Sequence, residues 1–169
     1  MNTTFAEEFQ LDARNVALSA VFAAAVAVGT LAVSIPVGIG YLNFGEVLIY
    51  TAAFLFGPIV GALAGGIGAA AADVYLGFTV FAPVTFLVKG AEGAIVGSLS
   101  GASTRSKVTA VAAGAPVMIV GYVAVVAYFE GLPVALASEL PIDVLQAVVG
   151  LAVALPLSKA VESRIPQLQ

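Results

Sequence analysis

Residues 47–72 read VLIYTAAFLFGPIVGALAGGIGAAAA, a run without a single charged side chain. A helix that crosses the hydrocarbon layer of a membrane needs about 20 residues, so this run is rather long for one perpendicular helix and short for two. Gly57-Pro58 lies near its middle. Proline has no amide hydrogen to donate and biases the residue before it away from helical geometry. We therefore predict two short helices, at residues 45–56 and 58–76.

The composition of the whole chain indicates an integral membrane protein. Of its 169 residues, 61% are hydrophobic and 9% are charged, and the mean hydropathy is +1.10. A soluble core has no use for that much apolar surface. At about 20 residues per span, six spans are close to the most that this length allows. We expect one all-α domain over residues 1–169, a bundle of six transmembrane helices surrounded by the lipid bilayer of the cell membrane.

The residue types that are absent from the sequence exclude several kinds of chemistry. There is no cysteine and no histidine, which removes disulfides, thiolate nucleophiles, imidazole bases and nearly all zinc sites. We predict no metal, no cofactor and no catalytic residue. The net charge of -4 argues against nucleic acid, because phosphate backbones bind to basic faces. Residues 1–12 carry acidic groups and no basic one, unlike a signal peptide, and are expected to stay as a short cytoplasmic segment.

Charged residues delimit the other spans, because a charge inside hydrocarbon costs several kcal/mol. The first span is predicted at residues 16–35 and ends at Pro36 and a loop over residues 37–40. The last three spans are predicted at 83–100, 108–128 and 142–158. Pro141 comes just before the final span, where proline suits the start of a helix.

The basic residues give the orientation, because they accumulate on the cytoplasmic side of short loops. With six spans, five of the six basic residues share one side, and both termini are cytoplasmic; these five are Arg14, Arg105, Lys107, Lys159 and Arg164. A single kinked helix over residues 47–72 would move the loop with Arg105 and Lys107 to the outside. The acidic residues then gather outside: Glu46, Glu130 and Glu139 in external loops, and Asp73 and Asp143 near external helix ends.

Lys89 is the basic residue that topology does not explain, since it lies about two turns inside the fourth span. An ionisable group at that depth indicates a functional site. Glu92 follows at i+3, close enough on one helix face to pair with it, and Asp73 is a second possible partner. A structural interpretation is also open: Lys89 and Glu92 neutralise each other and hold helices together. The two interpretations are compatible.

Residues 41–46, YLNFGE, form a second concentration of polar and aromatic groups, between the first two spans. Taken alone, the segment favours a turn in which Asn43 caps the next helix and Glu46 lies against the positive end of its dipole. The alternative is that these side chains bind a ligand at the outer face.

Small residues follow two patterns. Glycines crowd the third span, with Gly57, Gly61 and Gly65 at steps of four, which allows helix backbones to approach closely. Alanines form a stripe along one face of the first span: Ala13, Ala17, Ala20, Ala24 and Ala27. The stripe can seat against another helix of this chain or against a separate subunit, and the sequence does not separate these alternatives.

The ordered pattern of residues 43–97 resembles the substrate-binding S component of energy-coupling factor (ECF) transporters, in the branch for hydroxymethylpyrimidine, pyridoxine and riboflavin. The matching motifs are NFGE at 43–46, FGPIVGALAGGIG at 56–68, Ala-Asp at 72–73, APVTFLVKG at 82–90, and Gly93 and Gly97. The family usually has aspartate where Glu46 stands. Ala20-x-x-x-Ala24 resembles the motif through which S components dock on the transmembrane coupling subunit. The sequence has no phosphate-binding loop of the GxxxxGK[ST] type, in keeping with ATP hydrolysis by partners.

The resemblance implies a subunit that captures a small, nearly neutral heteroaromatic vitamin or precursor from outside. A transmembrane coupling subunit and two ATPases then drive its import. The loop over residues 36–44 would cap the pocket. The predicted binding residues are Tyr41, Phe44, Tyr75 and Phe81 for stacking, and Asn43, Glu46, Thr85, Lys89 and Gln146 for hydrogen bonds, with Asp73 and Glu92 beside Lys89; Ala13, Ala17, Ala20 and Ala24 would contact the partner subunit.

Two rival functions belong to other classes. A membrane enzyme would need clustered acid/base or nucleophilic groups, and only Asp73, Lys89 and Glu92 qualify. An assembly or channel-like protein would capture no ligand. Tight vitamin binding without turnover separates the three functions.

Overall fold

The computed structural model describes residues 12–37 and 40–164. Their elements, in chain order, are α1 (Ala13–Ala32), β1 (Ser34–Val37), β2 (Gly40–Asn43), α2 (Gly45–Leu76), α3 (Ala82–Leu99), α4 (Thr104–Glu130) and α5 (Leu132–Arg164). Within these ranges four helices, α1, α2, α4 and α5, are long and apolar enough to cross a membrane. The predicted class, an all-α membrane protein, is confirmed, with one short β-hairpin added.

Helix α2 reverses its direction at Gly57. This residue has φ 81° and ψ -165°, a backbone conformation that residues other than glycine rarely adopt. Beyond the break the chain folds back on itself, because Gly61 lies beside Ala53 and Gly65 beside Ile49. The predicted break at Gly57-Pro58 is therefore confirmed, and α2 consists of two helical segments that lie side by side.

The second segment of α2 and helix α3 touch backbone to backbone along a row of glycines. A Cβ atom at Gly61 would lie 2.6 Å from the carbonyl oxygen of Gly93, and one at Gly65 would lie 2.6 Å from that of Lys89. At the end of the row, a Cβ at Gly97 would lie 2.6 Å from Cα of Pro58. Only glycine allows this approach, so the row fixes the register of α3 and with it the position of Lys89.

The predicted first span and the loop after it differ from the structure. Helix α1 begins at Ala13 and ends at Ala32, three residues earlier than predicted, and the chain continues as strand β1. Strands β1 and β2 pair antiparallel, with Ser34 opposite Asn43 and Pro36 opposite Tyr41. Strand pairing satisfies backbone groups that a loop near the membrane would leave without partners.

The predicted start of the last span is wrong. Helix α5 begins at Leu132 rather than near residue 142, and Pro141 lies inside it. Gly131, with φ 90°, ends α4 and allows α5 to begin directly after it. Proline inside a transmembrane helix is tolerated because neighbouring groups satisfy the backbone that it frees. Glu139 is consequently a helix residue and not part of an external loop.

The two ends of the bundle differ in charge. At the end of the bundle near Gly57, the buried Nζ of Lys107 lies 2.8 Å from Oε1 of Glu162 and 5.4 Å from the ring centroid of Phe54. Helix α1 also begins at this end, since Thr30, near its last turn, contacts Gly45 at the other end. We call this end of the bundle the Gly57 end. The opposite end, where the β-hairpin joins α1 to α2, is the hairpin end. The basic residues of α4 and α5 thus gather at the Gly57 end.

The glycine row generates a stability prediction. Gly61→Ala places a Cβ against the Gly93 carbonyl and should destabilise the bundle by about 1–3 kcal/mol through overpacking. In a thermal melt of the detergent-solubilised protein this corresponds to a fall in Tm of several degrees. Gly90→Ala is the matched control, because its Cβ would meet its nearest neighbour at an ordinary 3.5 Å. Equal Tm values for the two variants would contradict the role of the row.

Candidate ligand-binding site

A cavity opens at the hairpin end, between the hairpin and all five helices. Its lining residues are Thr30, Tyr41, Asn43, Gly45, Glu46, Ile49, Ala69, Asp73, Phe78, Phe81, Thr85, Lys89, Tyr122, Glu139, Asp143 and Gln146. The free volume is about 40 Å³. One water molecule needs about 10–15 Å³, so the cavity has room for a few waters. A larger ligand can enter only when the lining side chains move apart.

Lys89 lies at the centre of the cavity wall, between two carboxylates. Its Nζ donates a hydrogen bond to Oε1 of Glu46 and lies 3.8 Å from Oε2 of Glu92. All three side chains are buried, with at most 5% of each exposed. A buried charge needs such partners because its desolvation is expensive. The ammonium also lies 5.4 Å from the ring centroid of Tyr122, within cation–π range.

The predicted pairing of Lys89 with Glu92 is confirmed, but the predicted second partner is wrong. Asp73 forms no ion pair with Lys89, and Glu46 takes that place. The reason is the reversal at Gly57. It places the first segment of α2, which carries Glu46, close to α3, which carries Lys89. Lys89 therefore joins helices, as the structural interpretation expects, and also faces the cavity, where its functional role stays a prediction.

Glu92 lies one turn behind Lys89 and does not line the cavity. Its Oε1 accepts a hydrogen bond of 2.6 Å from the hydroxyl of Tyr50, and both residues are fully buried. The prediction that Glu92 belongs to the binding surface is thus corrected, because this carboxylate points to Tyr50 on α2 and not into the cavity. It supports the site indirectly, through Lys89.

Asp73 ties the hairpin to α2. The hydroxyl of Tyr41, on strand β2, donates a hydrogen bond of 2.6 Å to Oδ1 of Asp73. Burial raises the pKa of the Tyr41 phenol, and the nearby Asp73 carboxylate raises it further, so the phenol keeps its proton and remains a donor. This contact anchors one edge of the hairpin across the mouth of the cavity.

Asn43 anchors the hairpin at its other edge. Its Oδ1 accepts a hydrogen bond of 2.8 Å from the backbone N–H of Gly45 at the start of α2. Its own N–H donates to Oε1 of Gln146 on α5, at 2.9 Å. The predicted cap is wrong by one residue, because Phe44 occupies the N-cap position of α2 and its side chain makes no capping bond. Asn43 instead binds the N–H of Gly45 from the position before the cap, and it lines the cavity.

Aromatic rings form one wall of the cavity. The ring centroids of Tyr41 and Phe78 are 5.1 Å apart, and those of Phe78 and Phe81 are 6.3 Å apart. On the opposite side the hydroxyl of Tyr122 donates to Oγ1 of Thr85 at 3.0 Å. Phe78 and Tyr122 were missed by sequence reasoning, although Phe78 falls within the aromatic-rich stretch before α3.

Two predicted stacking residues do not reach the cavity. Tyr75 is 79% exposed and Phe44 is 43% exposed, and neither lines it. Tyr75 follows Asp73 by two residues, about 200° around the helix, so the two side chains face opposite directions. Phe44 precedes α2 and turns outward while its neighbours Asn43 and Gly45 face the cavity. Both predictions are corrected.

Helix α5 contributes acidic residues that sequence reasoning assigned to the outer surface. Glu139, Asp143 and Gln146 lie on one face of the helix, at steps of four and three, and all three line the cavity. Gly150 continues this face and lets α5 approach α2, since its Cβ would lie 2.5 Å from Cβ of Glu46. The spacing was the available signal, but it was hidden by the wrong start of the last span.

The eight predicted residues that line the cavity are Tyr41, Asn43, Glu46, Asp73, Phe81, Thr85, Lys89 and Gln146. They come from segments as far apart as the hairpin and α5. Their role in binding stays a prediction. A membrane-embedded bundle that encloses aromatic rings, a buried lysine and several carboxylates defines a class: an integral membrane protein with an internal cavity lined by polar and aromatic groups.

Comparison with known proteins narrows this class. The chain belongs to the ECF-type riboflavin transporter S component family, whose family model matches residues 10–163. It is also similar to a protein from Pyrococcus woesei described as an uncharacterized protein in gap 3'region. The two are 41% identical over 145 residues, which cover 83% of this chain and 97% of the relative. S components are substrate-binding subunits of membrane transporters, so the protein is not an enzyme.

The network around Lys89 generates a prediction about stability. Lys89→Met leaves Glu46 and Glu92 buried without a cation and should cost about 3–5 kcal/mol. The double variant Lys89→Met/Glu46→Gln should recover much of the lost Tm, because one of the two uncompensated charges is removed. Lys159→Met, which changes an exposed lysine, serves as the control. A double variant no more stable than the single one would contradict the coupling.

Proposed function

We propose that this chain captures a small heteroaromatic vitamin or vitamin precursor from outside the cell and delivers it inward together with a transmembrane coupling subunit and two ATPases. The observation that carries the proposal is the buried Lys89, which faces a cavity with an aromatic wall in a chain of the S component family. An ionisable group inside the membrane that faces a cavity is the usual mark of a substrate path.

The orientation of the bundle supports capture from outside. Basic residues gather at the Gly57 end, and such residues favour the cytoplasmic side of a membrane. The cavity, at the hairpin end, then opens outward. The two segments of α2 supply the additional crossing that a six-span arrangement with both termini inside requires, and the contacts of Gly61 with Ala53 support it.

The ligand ring would stack against the aromatic wall while polar groups fix its orientation. Thr85 and Gln146 supply neutral hydrogen-bonding groups, and Lys89 supplies the single ammonium of the lining. The segment predicted to cap the pocket, residues 36–44, contains most of the hairpin together with Phe44, and it would act as the cover. Hydrogen bonds from the Tyr41 hydroxyl to Asp73 and from the Asn43 N–H to Gln146 help to hold it in place. Opening these contacts would enlarge the small cavity.

The alanine stripe of α1 supports docking on a partner. Ala13, Ala17, Ala20 and Ala24 are exposed, so the other described residues leave much of this helix face uncovered. Ala20 and Ala24 border an apolar groove whose far side is formed by Leu63 and Ile67 of α2. Small residues on an open helix face allow another helix to approach closely. We assign this face to the coupling subunit, as the family implies.

The capture hypothesis predicts a bound vitamin. Mass spectrometry of small molecules released from the purified protein should detect one heteroaromatic compound at a stoichiometric amount, and calorimetry should show tight binding without turnover. Lys89→Ala should weaken binding at least tenfold, because a charged hydrogen-bond donor contributes about 1.5–3 kcal/mol. Lys159→Ala is the control. A protein that retains and binds no such compound would leave the assembly or channel-like function instead.

A second variant keeps this test informative if Lys89→Ala folds poorly. Phe81→Ala removes part of the aromatic wall and should weaken binding about three- to tenfold, as expected for one aromatic contact. Phe129→Ala is matched to it, since Phe129 touches Phe81 with ring centroids 6.5 Å apart but does not line the cavity. Equal affinities for both variants would exclude the aromatic wall from the site.

The docking assignment gives a separate prediction. Ala24→Leu fills the groove on α1 and should reduce co-purification with the coupling subunit and ATPases while the isolated chain keeps its affinity for vitamin. Ala152→Leu, on an exposed face of α5, should leave assembly intact. Loss of assembly in both variants, or in neither, would remove the alanine stripe from the interface.

A further inference from the structure

The charges around the cavity are unbalanced. Four carboxylates line it, those of Glu46, Asp73, Glu139 and Asp143, against the one ammonium of Lys89. Lys89 is already paired with Glu46 and is close to Glu92 as well. No lysine or arginine nitrogen in residues 12–37 and 40–164 comes within 4.0 Å of the other three lining carboxylates. The expectation of a nearly neutral ligand rested on the small number of charged residues in the chain. The structure gathers five of them around the cavity, so that expectation does not hold for the cavity lining.

Four oxygen atoms of these carboxylates are unpartnered. Among the described residues, Oε2 of Glu46, Oδ2 of Asp73, Oε2 of Glu139 and Oδ2 of Asp143 are buried and accept no hydrogen bond. The four residues themselves are at most 8% exposed. A buried acceptor without a donor costs about 1–3 kcal/mol, and more when it is charged. The site therefore holds several acceptors that a bound molecule could satisfy.

The positions of these oxygens describe the molecule that would satisfy them. Asp73 comes from α2, close to Tyr41 of the hairpin, whereas Glu139 and Asp143 come from α5. The ligand must therefore present N–H or O–H donors in more than one direction. It must also be flat, to lie along Tyr41, Phe78 and Phe81, and a positive charge would gain from both the carboxylates and the ring faces.

We propose that the site takes an amino-substituted heteroaromatic ring of the aminopyrimidine class, bound in a positively charged form, and discriminates against flavins and phosphorylated vitamins. This inference rests on the capture function proposed above. An exocyclic amino group next to a protonated ring nitrogen presents two parallel N–H donors, which match the two oxygens of one carboxylate. Riboflavin carries no positive charge, and a phosphate group would be repelled by the three carboxylates that lack a cation.

A divalent metal ion is a different occupant for acidic side chains. However, no group of three or more histidine, cysteine, aspartate or glutamate residues in the described part of the chain has the arrangement of a metal site. The acidic groups instead surround a space bordered by aromatic rings, which suits an organic cation.

The experiment compares probes of different charge on the purified, full-length chain in lipid nanodiscs by calorimetry at pH 7. The probes are 4-amino-5-hydroxymethyl-2-methylpyrimidine, its analogue with oxygen in place of the amino group, thiamin, riboflavin, riboflavin 5'-phosphate and CaCl2. At least one of the two aminopyrimidine probes, the free hydroxymethylpyrimidine or thiamin, should bind 100-fold or more tightly than riboflavin and its phosphate. The oxygen analogue should bind at least tenfold more weakly than the aminopyrimidine.

The outcomes separate the two proposals. Tighter binding of riboflavin or its phosphate would overturn the aminopyrimidine assignment and leave the capture function standing. Binding of calcium more tightly than any organic probe would overturn the assignment in favour of a metal. If no organic probe binds and no heteroaromatic compound co-purifies, the capture function itself fails.

Variants of the carboxylates test their role in charge recognition. Asp143→Asn and Asp73→Asn keep the size of the side chain but remove a charge, and each should weaken binding of the cation at least tenfold. Asp143→Asn should also raise the Tm of the ligand-free protein, because it relieves repulsion from Glu139. Glu130→Gln, an exposed residue outside the cavity, is the control. A lower Tm with unchanged affinity would show a purely structural role and overturn the assignment.

Discussion

The close approach of two helix backbones is the constraint on which the rest of this structure depends. Gly61 and Gly65 in the second segment of α2 face Gly93 and the Lys89 carbonyl of α3 at distances that admit no side chain. Lys89 is therefore held in register by contacts of the main chain. Because α2 folds back at Gly57, its first turn lies beside the second segment of α2 and beside α3. Glu46, in that first turn, therefore reaches the ammonium of Lys89. The glycine row thus sets the helix positions that allow the Lys89–Glu46 ion pair to form.

The ion pair in turn shapes the candidate site. A buried ammonium requires a carboxylate, and Glu46 and Glu92 meet that need from two sides. The further carboxylates, from α2 and α5, exceed what Lys89 can neutralise, and one oxygen of each has no donor among the described residues. Such an arrangement stabilises the fold poorly by itself. It is understandable in a membrane protein whose stable state includes a ligand, as the transporter family of this chain implies.

The hairpin connects this chemistry to the outside. It replaces what the sequence suggested was a plain loop, and its paired strands satisfy their own backbone groups. Hydrogen bonds tie it to the helices beneath, from the Tyr41 hydroxyl to Asp73 and from the Asn43 N–H to Gln146. The cavity below has little free volume, so a ligand must displace side chains or the cover itself. The groove on α1 lies on the outer surface of the bundle, away from this cover, which separates ligand capture from partner contact.

The sequence by itself determined the features that have local causes. Uncharged runs identify a membrane protein because charges are excluded from hydrocarbon. Gly57-Pro58 breaks a helix because proline lacks an amide donor. Lys89 stands out because it lies inside a predicted span and not in a cytoplasmic loop. Only the tertiary structure decided which distant groups meet. Glu46 rather than Asp73 pairs with Lys89, and Tyr75 faces away from the cavity. Glu139 and Asp143 line the cavity because α5 begins at Leu132, ten residues before the start that Pro141 suggested. These outcomes depend on how helices pack against one another, and no stretch of sequence contains that information alone.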